Sequence, residues 1–419
     1  MPSPKRHDGW TERLWGLIDS VRDKKRGSLL TTNSNESLFG ESLVAARTPI
    51  IELNSSYGLS RLRDAVTETG SGTVSDTAST QTGEFLLSSG TTTGSRARLE
   101  SAEIGRYIPG YSAELGVGIR FEALPEGDQE IRWGGEGSDG QNGYYFGYDS
   151  GGVFVARCRD GTVLSKTYQQ DWNIDKLDGT GRSGHSLDLT RGYIYQVDFS
   201  WYGYGAVRFG VLITLNGRQS FVVCHIMQDF DSGTSVVSPN LRVCINVDNN
   251  TTATDTQVYV GGRQYSIVGN YIPKYRFTAD FRGDTNTSTT VVPLVSFRRK
   301  TGFGDRSIKL EGYDTLVASE PVYLEIRLNG ALTDEVWETP TDYSADETAL
   351  EADTSATAIT GGDVVWGQLA AAGQNKNSAQ LAAAQVDFDI PNGDIVTLCA
   401  RTVTGTGSII SALRMREEW

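Results

Sequence analysis

The sequence predicts an all-β protein. Two antiparallel β-sandwich units of jelly-roll or lectin-like type are expected, preceded by an N-terminal helix and an extended arm. Three observations carry this expectation. From about Ala102 to Asn270, apolar and polar residues alternate in short runs bounded by Gly, Asn and Asp, as in "ELGVGIRFEAL" and "GYIYQVDFSW". The composition, with 48 Gly, 11 Pro and only 21% charged residues, suits strands and turns better than helices. A Gly/Ser/Thr-rich tract, Thr67–Arg96, separates these runs from a single amphipathic pattern near the N-terminus.

Residues 1–26 carry that pattern. Trp10, Leu14, Leu17, Ile18 and Val21 fall on one face at 3.6 residues per turn. Asp8 suits the helix start; Arg22, Lys24, Lys25 and Arg26 suit its C-terminal dipole, and Gly27 its end. Gly16 weakens such a helix by about 1 kcal/mol relative to Ala. Docking of this face on another subunit or protein is preferred over packing on its own domain, because a polar tract follows.

Residues 27–101 read as an extended arm with too few core formers to fold alone, a linker or a segment ordered by assembly. Residues 102–272 read as the first sandwich, with hairpin signals at Asp160-Gly161 and Asn216-Gly217. Residues 273–419 read as a second, smaller one, with strands in "VVPLVSFRRK", "VYLEIRLNG" and "DIVTLCARTV".

The net charge of −14 disfavours nucleic acid and anionic membrane as partners. Residues 1–26 hold a local +3, leaving −17 on the remainder. Nine Lys against twenty-nine Arg, with acids in excess, fits a salt-loving host as well as an ordinary acidic surface. No run reaches eighteen apolar residues and no secretory signal is seen. Synthesis in a host cytoplasm, without a membrane span, is expected.

Cys158, Cys224, Cys244 and Cys399 form no C-x-x-C motif, so a zinc cluster is not expected. Cys224 and Cys244 fit neighbouring strands, and spacing alone does not establish a disulfide. Asp171, Asn173 and Asp175 copy the first half of an EF-hand loop, but Lys176 replaces the required Gly and Arg182 the bidentate Glu. They are weak metal candidates, better read as turn formers beside Gly179, Gly181 and Gly184. No cofactor is expected.

Three histidines, and no nucleophile elbow, H-E-x-x-H or phosphate loop, argue against an enzyme. Paired carboxylates for glycoside hydrolysis cannot be located from sequence. The aromatic clusters are the best binding candidates: Trp133, Tyr145 and Tyr148 in "WGGEGSDGQNGYYFGY", and Tyr202 and Tyr204 in "FSWYGYG". Such rings either stack on sugars or a host surface, or simply pack.

Several stretches resemble a family of structural proteins of tailed viruses, found on heads or tails as fibres, spikes or decorations. They are "LFGESLVAARTPIIELNSSYGL", "SRARLESAEIGRYIPGYSAELGVGIRF", "DWNIDKLDGTGRSGHSLDLTRGYIYQVDFSWYGYGAVRFGVLI", "VPLVSFRRK" and "SIISALRMREEW". The central motif is a Trp172-Asn173-x-Asp175-Lys176-x-Asp178-Gly179 loop, followed by Asp198, Trp201, Gly203, Gly205, Val207, Arg208 and Gly210. Tyr202 stands where the family pattern has an aliphatic residue. The resemblance implies a virion surface protein without catalysis, attached through its N-terminus to other virion proteins. A homo-oligomer is expected, a trimer before a pentamer, with a host-surface glycan or protein as partner. A free lectin-like module or a polysaccharide-degrading tail spike is the alternative.

Overall fold

The structure is a computed structural model. It describes residues 47–418, apart from 77–82, 123, 138–139, 216, 229–232, 273, 304–305, 374–375 and 381–388. The described residues hold no α-helix, only strands and two 3-10 turns, Ser55–Tyr57 and Gln169–Asp171.

The first fifteen strands are built around one core. They begin with β1 (Arg47–Leu53), β2 (Asp64–Thr69), β3 (Thr73–Asp76), β4 (Phe85–Ser88) and β5 (Arg96–Ser101). Next come β6 (Ser112–Phe121), β7 (Glu130–Glu136), β8 (Gly143–Asp149), β9 (Gly152–Arg159) and β10 (Thr162–Tyr168). The set closes with β11 (Tyr193–Phe199), β12 (Val207–Leu215), β13 (Arg218–Met227), β14 (Arg242–Asp248) and β15 (Gln257–Val268). One sheet runs β13-β12-β11-β6-β15-β4-β3 with β1 also on β15; the other runs β10-β9-β8-β7-β14-β5-β2. All pairings are antiparallel, so the period-2 alternation turns one row of each strand inward. Leu115, Val117 and Ile119 of β6 thereby meet Trp133, Phe146, Tyr195 and Phe209 in one buried cluster.

A second core lies beyond residue 290. Around it are β16 (Tyr275–Thr287), β17 (Val292–Arg299), β18 (Ile308–Val317), β19 (Val322–Leu328), β20 (Ala331–Thr333) and β21 (Leu350–Asp353). They are followed by β22 (Ala358–Thr360), β23 (Asp363–Ala370), β24 (Lys376–Gln380), β25 (Ile395–Thr402) and β26 (Gly407–Glu418). The sheets are β16-β26-β18-β24, β21-β17-β25-β19-β23 and the small pair β20-β22. Leu324, Ile326, Leu398 and Leu413 are fully buried between them.

Of the expected helix-and-arm entry to the fold, the arm is corrected over its described part, Arg47–Ser101. Trp10, Leu14, Leu17, Ile18 and Val21 lie outside the described residues. The chain from Arg47 to Ser101 is no arm: β1, β3 and β4 extend one sheet and β2 and β5 the other. Few apolar residues suffice because the sheets already provide the opposing surface. Ile51, Phe85, Leu87, Ala97 and Leu99 each reach 0% exposure. Buried charge ties the same segment in, since Arg263 of β15 donates to Asp64 at 2.6 Å. The loop after β1 also reaches the second core. Leu62 packs against it, and Arg61 pairs with Asp394 at 2.8 Å.

Candidate functional site

The five aromatic candidates separate into two groups. Trp133 is 0% exposed, stacked on Phe146 at 6.1 Å and edge-on to Tyr195 at 5.1 Å. Tyr145 is on the outer face of its sheet, as alternation requires, yet it too is buried. Arg132 lies over its ring at 5.3 Å, and Phe154, Ala156 and Cys158 pack beside it. Tyr148 is half-buried against Phe121. None of these three offers a ring face to a ligand.

Tyr202 and Tyr204 do, at 55% and 68% exposure. They sit on the turn between β11 and β12, and three features make that turn stiff. Tyr202 has φ 36, a left-handed conformation its side chain must be held in. The Gly205 amide donates to the Trp201 carbonyl at 2.7 Å, and the Ser235 amide to Gly203 at 2.7 Å. A Cβ at Gly205 would lie 1.3 Å from the Ser200 carbonyl oxygen, so only glycine closes the turn. Beneath it, Trp201 donates its indole N–H to Val236 and meets Tyr107 edge-on. The Tyr202 hydroxyl lies 3.7 Å from where a Cβ on Gly110 would stand, next to Tyr111, whose ring meets Tyr271 edge-on at 6.1 Å. Exposed Val237 and Ile272 adjoin these loops in the chain. One end of the sandwich is thus dressed with tyrosines on fixed backbone.

The Asp171-Asn173-Asp175 loop is committed to architecture. Asp175 accepts from the Leu177 amide with one oxygen, at 2.9 Å, and from the Ser183 amide with the other, at 2.6 Å. Asn173 bonds both main-chain groups of Ile226. Asp171 is exposed in the 3-10 turn. Among the described residues, no group of three or more Asp, Glu, His or Cys converges as a metal site would require. The four cysteines are buried and joined in no disulfide. Cys224 donates to the Phe209 carbonyl, while Cys244 lies beside Glu136 on the other sheet.

One constellation escaped the sequence reading. On the outward face of the first sheet, Arg208, Asp198, Glu114 and Ser266 form a row across β12, β11, β6 and β15. Arg208 donates to Asp198 at 2.8 Å, and Arg47 of β1 to Glu114 at 2.8 Å. Gln196 and Gln264 donate to the same two carboxylates at 2.8 and 3.0 Å. The only sequence signal was polar alternation in "SAELGVG" and "YQVDF", which says nothing about which strands adjoin.

No family model and no curated protein matches the chain. Solved structures give distant matches. An endo-β-1,4-glucuronan lyase from the fungus Trichoderma reesei is 11% identical over 52% of this chain and 95% of its own, with a TM-score of 0.34. Arcelin-5, a lectin-like defence protein from Phaseolus vulgaris, is 9% identical over 52% and 97%, at 0.34. The Emp46p carbohydrate recognition domain is 11% identical over 52% and 99%, at 0.31. At these values no site, ligand or activity transfers to this chain.

Proposed function

We propose that the protein is a glycan-binding β-sandwich protein that engages saccharide at its tyrosine-dressed end. The observation that carries this is the exposure of Tyr202 and Tyr204 on a turn whose backbone is fixed. Rigid aromatic faces bind sugar rings at little entropic cost, and hydroxyl groups around them supply direction. On a glycan array the protein is expected to bind a defined saccharide set. Tyr202→Ala with Tyr204→Ala should weaken that binding at least tenfold without altering the unfolding midpoint, since neither ring is in the core. Unchanged array binding by the double variant would overturn the assignment of this end.

A second proposal concerns setting. The resemblance of the stretch from Trp172 to Gly210 to tailed-virus structural proteins is what supports this reading, display on a virion surface as a homo-oligomer. Mass spectrometry of purified particles is expected to find the protein, and light scattering a trimer. Absence from particles would leave a free lectin-like protein.

A further inference from the structure

The end of β16 reads "RGDTNT", from Arg282 to Thr287: one cation, one acid, and then Thr and Asn. The ladder breaks there. The register of β16 on β26 shifts between Arg282 and Thr285, so Gly283 and Asp284 stand outside the pairing. Such an irregularity bends the strand and opens space beside it. The space is a cleft of about 390 Å³ lined by Arg282, Asp284, Asn286, Pro293, Ala356 and Thr357, among others. A second cleft, of about 500 Å³, shares Asn286 with it and takes in Thr287, Ser319, Gly407 and Ser408. Together they make one polar trough, and at about 3.3 Å per residue the strand beneath it spans roughly 15 Å.

Three polar groups along the trough have donors or acceptors to spare. Arg282 donates through Nη1 to the Pro293 and Ala356 carbonyls, at 2.9 and 2.8 Å. Among the described residues its Nη2 and Nε bond to nothing, and no carboxylate pairs with it. Burial pulls this guanidinium down from the ordinary range, opposed by the charge of Asp353, which is itself held by Val336 and Ser355. Thr287 is 2% exposed, and its hydroxyl has no hydrogen-bond partner. A Cβ on Gly407 would lie 3.4 Å from that oxygen, so the hydroxyl faces a lining position without a side chain. Between the two, the Asn286 side chain is exposed and bonds to nothing among the described residues. A buried polar group left without a partner is unfavourable unless something from outside the chain supplies one.

We propose that the trough binds an acidic oligosaccharide, with one carboxylate on Arg282 and the hydroxyls of neighbouring sugars on Asn286 and Thr287. No aromatic residue lines either cleft, so a sugar ring has no face to stack on here. Hydrogen bonds between neutral groups replace bonds to water at little net gain. A charge-assisted bond is about twice as strong, and the planar guanidinium matches a carboxylate. The carboxylate therefore selects the ligand. Its charge must also be sparse: Asp284 stands two positions from Arg282, and the chain carries −14, so a densely sulfated polymer is repelled. A small free anion would fill the Arg282 end and leave Thr287 unmet. Uronic acids spaced by neutral sugars satisfy both ends.

This trough is in the second sandwich and the exposed tyrosines are in the first, so the two assignments stand or fall separately. The full chain is titrated by calorimetry with oligosaccharides in which glucuronate, galacturonate or mannuronate alternates with a neutral hexose. Each is compared with its methyl ester and its carboxyl-reduced form. At least one free acid is expected to bind, with its ester and reduced forms at least about tenfold weaker, and added salt should narrow the gap. The same titrations on the Tyr202→Ala, Tyr204→Ala chain remove any share from the other end, and the preference should persist. Arg282→Gln should abolish it, and Asn286→Ala, at an exposed position, should weaken binding of the acid. The ester comparison needs no variant and guards against a substitution that fails to fold. Absence of binding across the panel, equal binding of acid and ester, or an intact preference in folded Arg282→Gln would overturn the proposal. Competition by inorganic sulfate as strong as by the oligosaccharide would also overturn it, leaving a simple anion site.

Discussion

Asn173 clasps the main chain of Ile226: its amide nitrogen donates to the carbonyl at 2.8 Å, and its carbonyl oxygen accepts the N–H at 2.9 Å. The side chain thus extends along β13 the pairing that the loop backbone begins, where the Ile174 and Asp175 amides donate to the Cys224 carbonyl at 3.1 Å. Asn173→Ala removes both bonds, at about 0.5–1.5 kcal/mol each. Asn173→Asp keeps the acceptor and loses the donor. Urea denaturation should rank wild type above Asn173→Asp and Asn173→Ala lowest; an Ala variant as stable as wild type would make the clasp incidental.

Gly205 and Gly184 offer a matched comparison. At Gly205 a methyl group would meet the Ser200 carbonyl, a backbone atom that cannot give way without opening the turn. At Gly184 the cost is conformational only, because φ is +66 and nothing lies within 4 Å. Gly184→Ala is expected to cost about 1 kcal/mol, and Gly205→Ala clearly more, with Tyr202 and Tyr204 displaced. Equal unfolding midpoints for the two would contradict the geometry of the turn.

Asp64 and Arg263 form an ion pair with side-chain exposures of 2% and 1%. Removing one partner strands the other charge in the interior, which typically costs about 3–5 kcal/mol. Asp64→Asn should therefore destabilise the whole first sandwich, even though Asp64 lies in the segment that reads as an arm. A loss below about 1 kcal/mol would show that β2 is only loosely joined.

The pH dependence follows from Glu114. Its folded value of about 7 lies above the ordinary 4.5, so the native state binds more protons than the unfolded chain between those limits. Stability should fall as pH rises from about 4.5 to about 7, and Asp198, raised as well, adds to the slope. Arg47, Arg208 and the Gln196 and Gln264 amides are the groups facing the pair. Glu114→Gln should flatten this window in chemical denaturation across pH. A slope unchanged by the substitution would place its origin elsewhere.

All four thiols are buried, and burial pushes that of Cys399 up to about 12 and those of Cys224 and Cys244 well above the ordinary range. A thiol reagent should modify none of them in the native state and all four after denaturation. Reducing agent should leave the unfolding midpoint unchanged.

The β class and the turn chemistry were determined by the sequence itself, whereas Trp133 and Tyr148, which read as binding candidates, pack on the core. Period-2 alternation and Gly, Asn and Asp punctuation are local properties, so they decide which residues of one strand share a face without any tertiary knowledge. Whether an outward face meets solvent is not local. Tyr145 points out as expected but is covered by Arg132 and Phe154, which β7 and β9 bring alongside, while Tyr202 stays exposed because its turn projects past the last strand pair. The segment from Arg47 to Ser101 is too poor in apolar residues to read as core, yet it folds because two sheets already offer the surface that buries Phe85 and Leu99. The facing of Glu114 and Asp198 depends on register between strands far apart in the chain. Only the tertiary structure decides that register, since it is set by the packing of both sheets together.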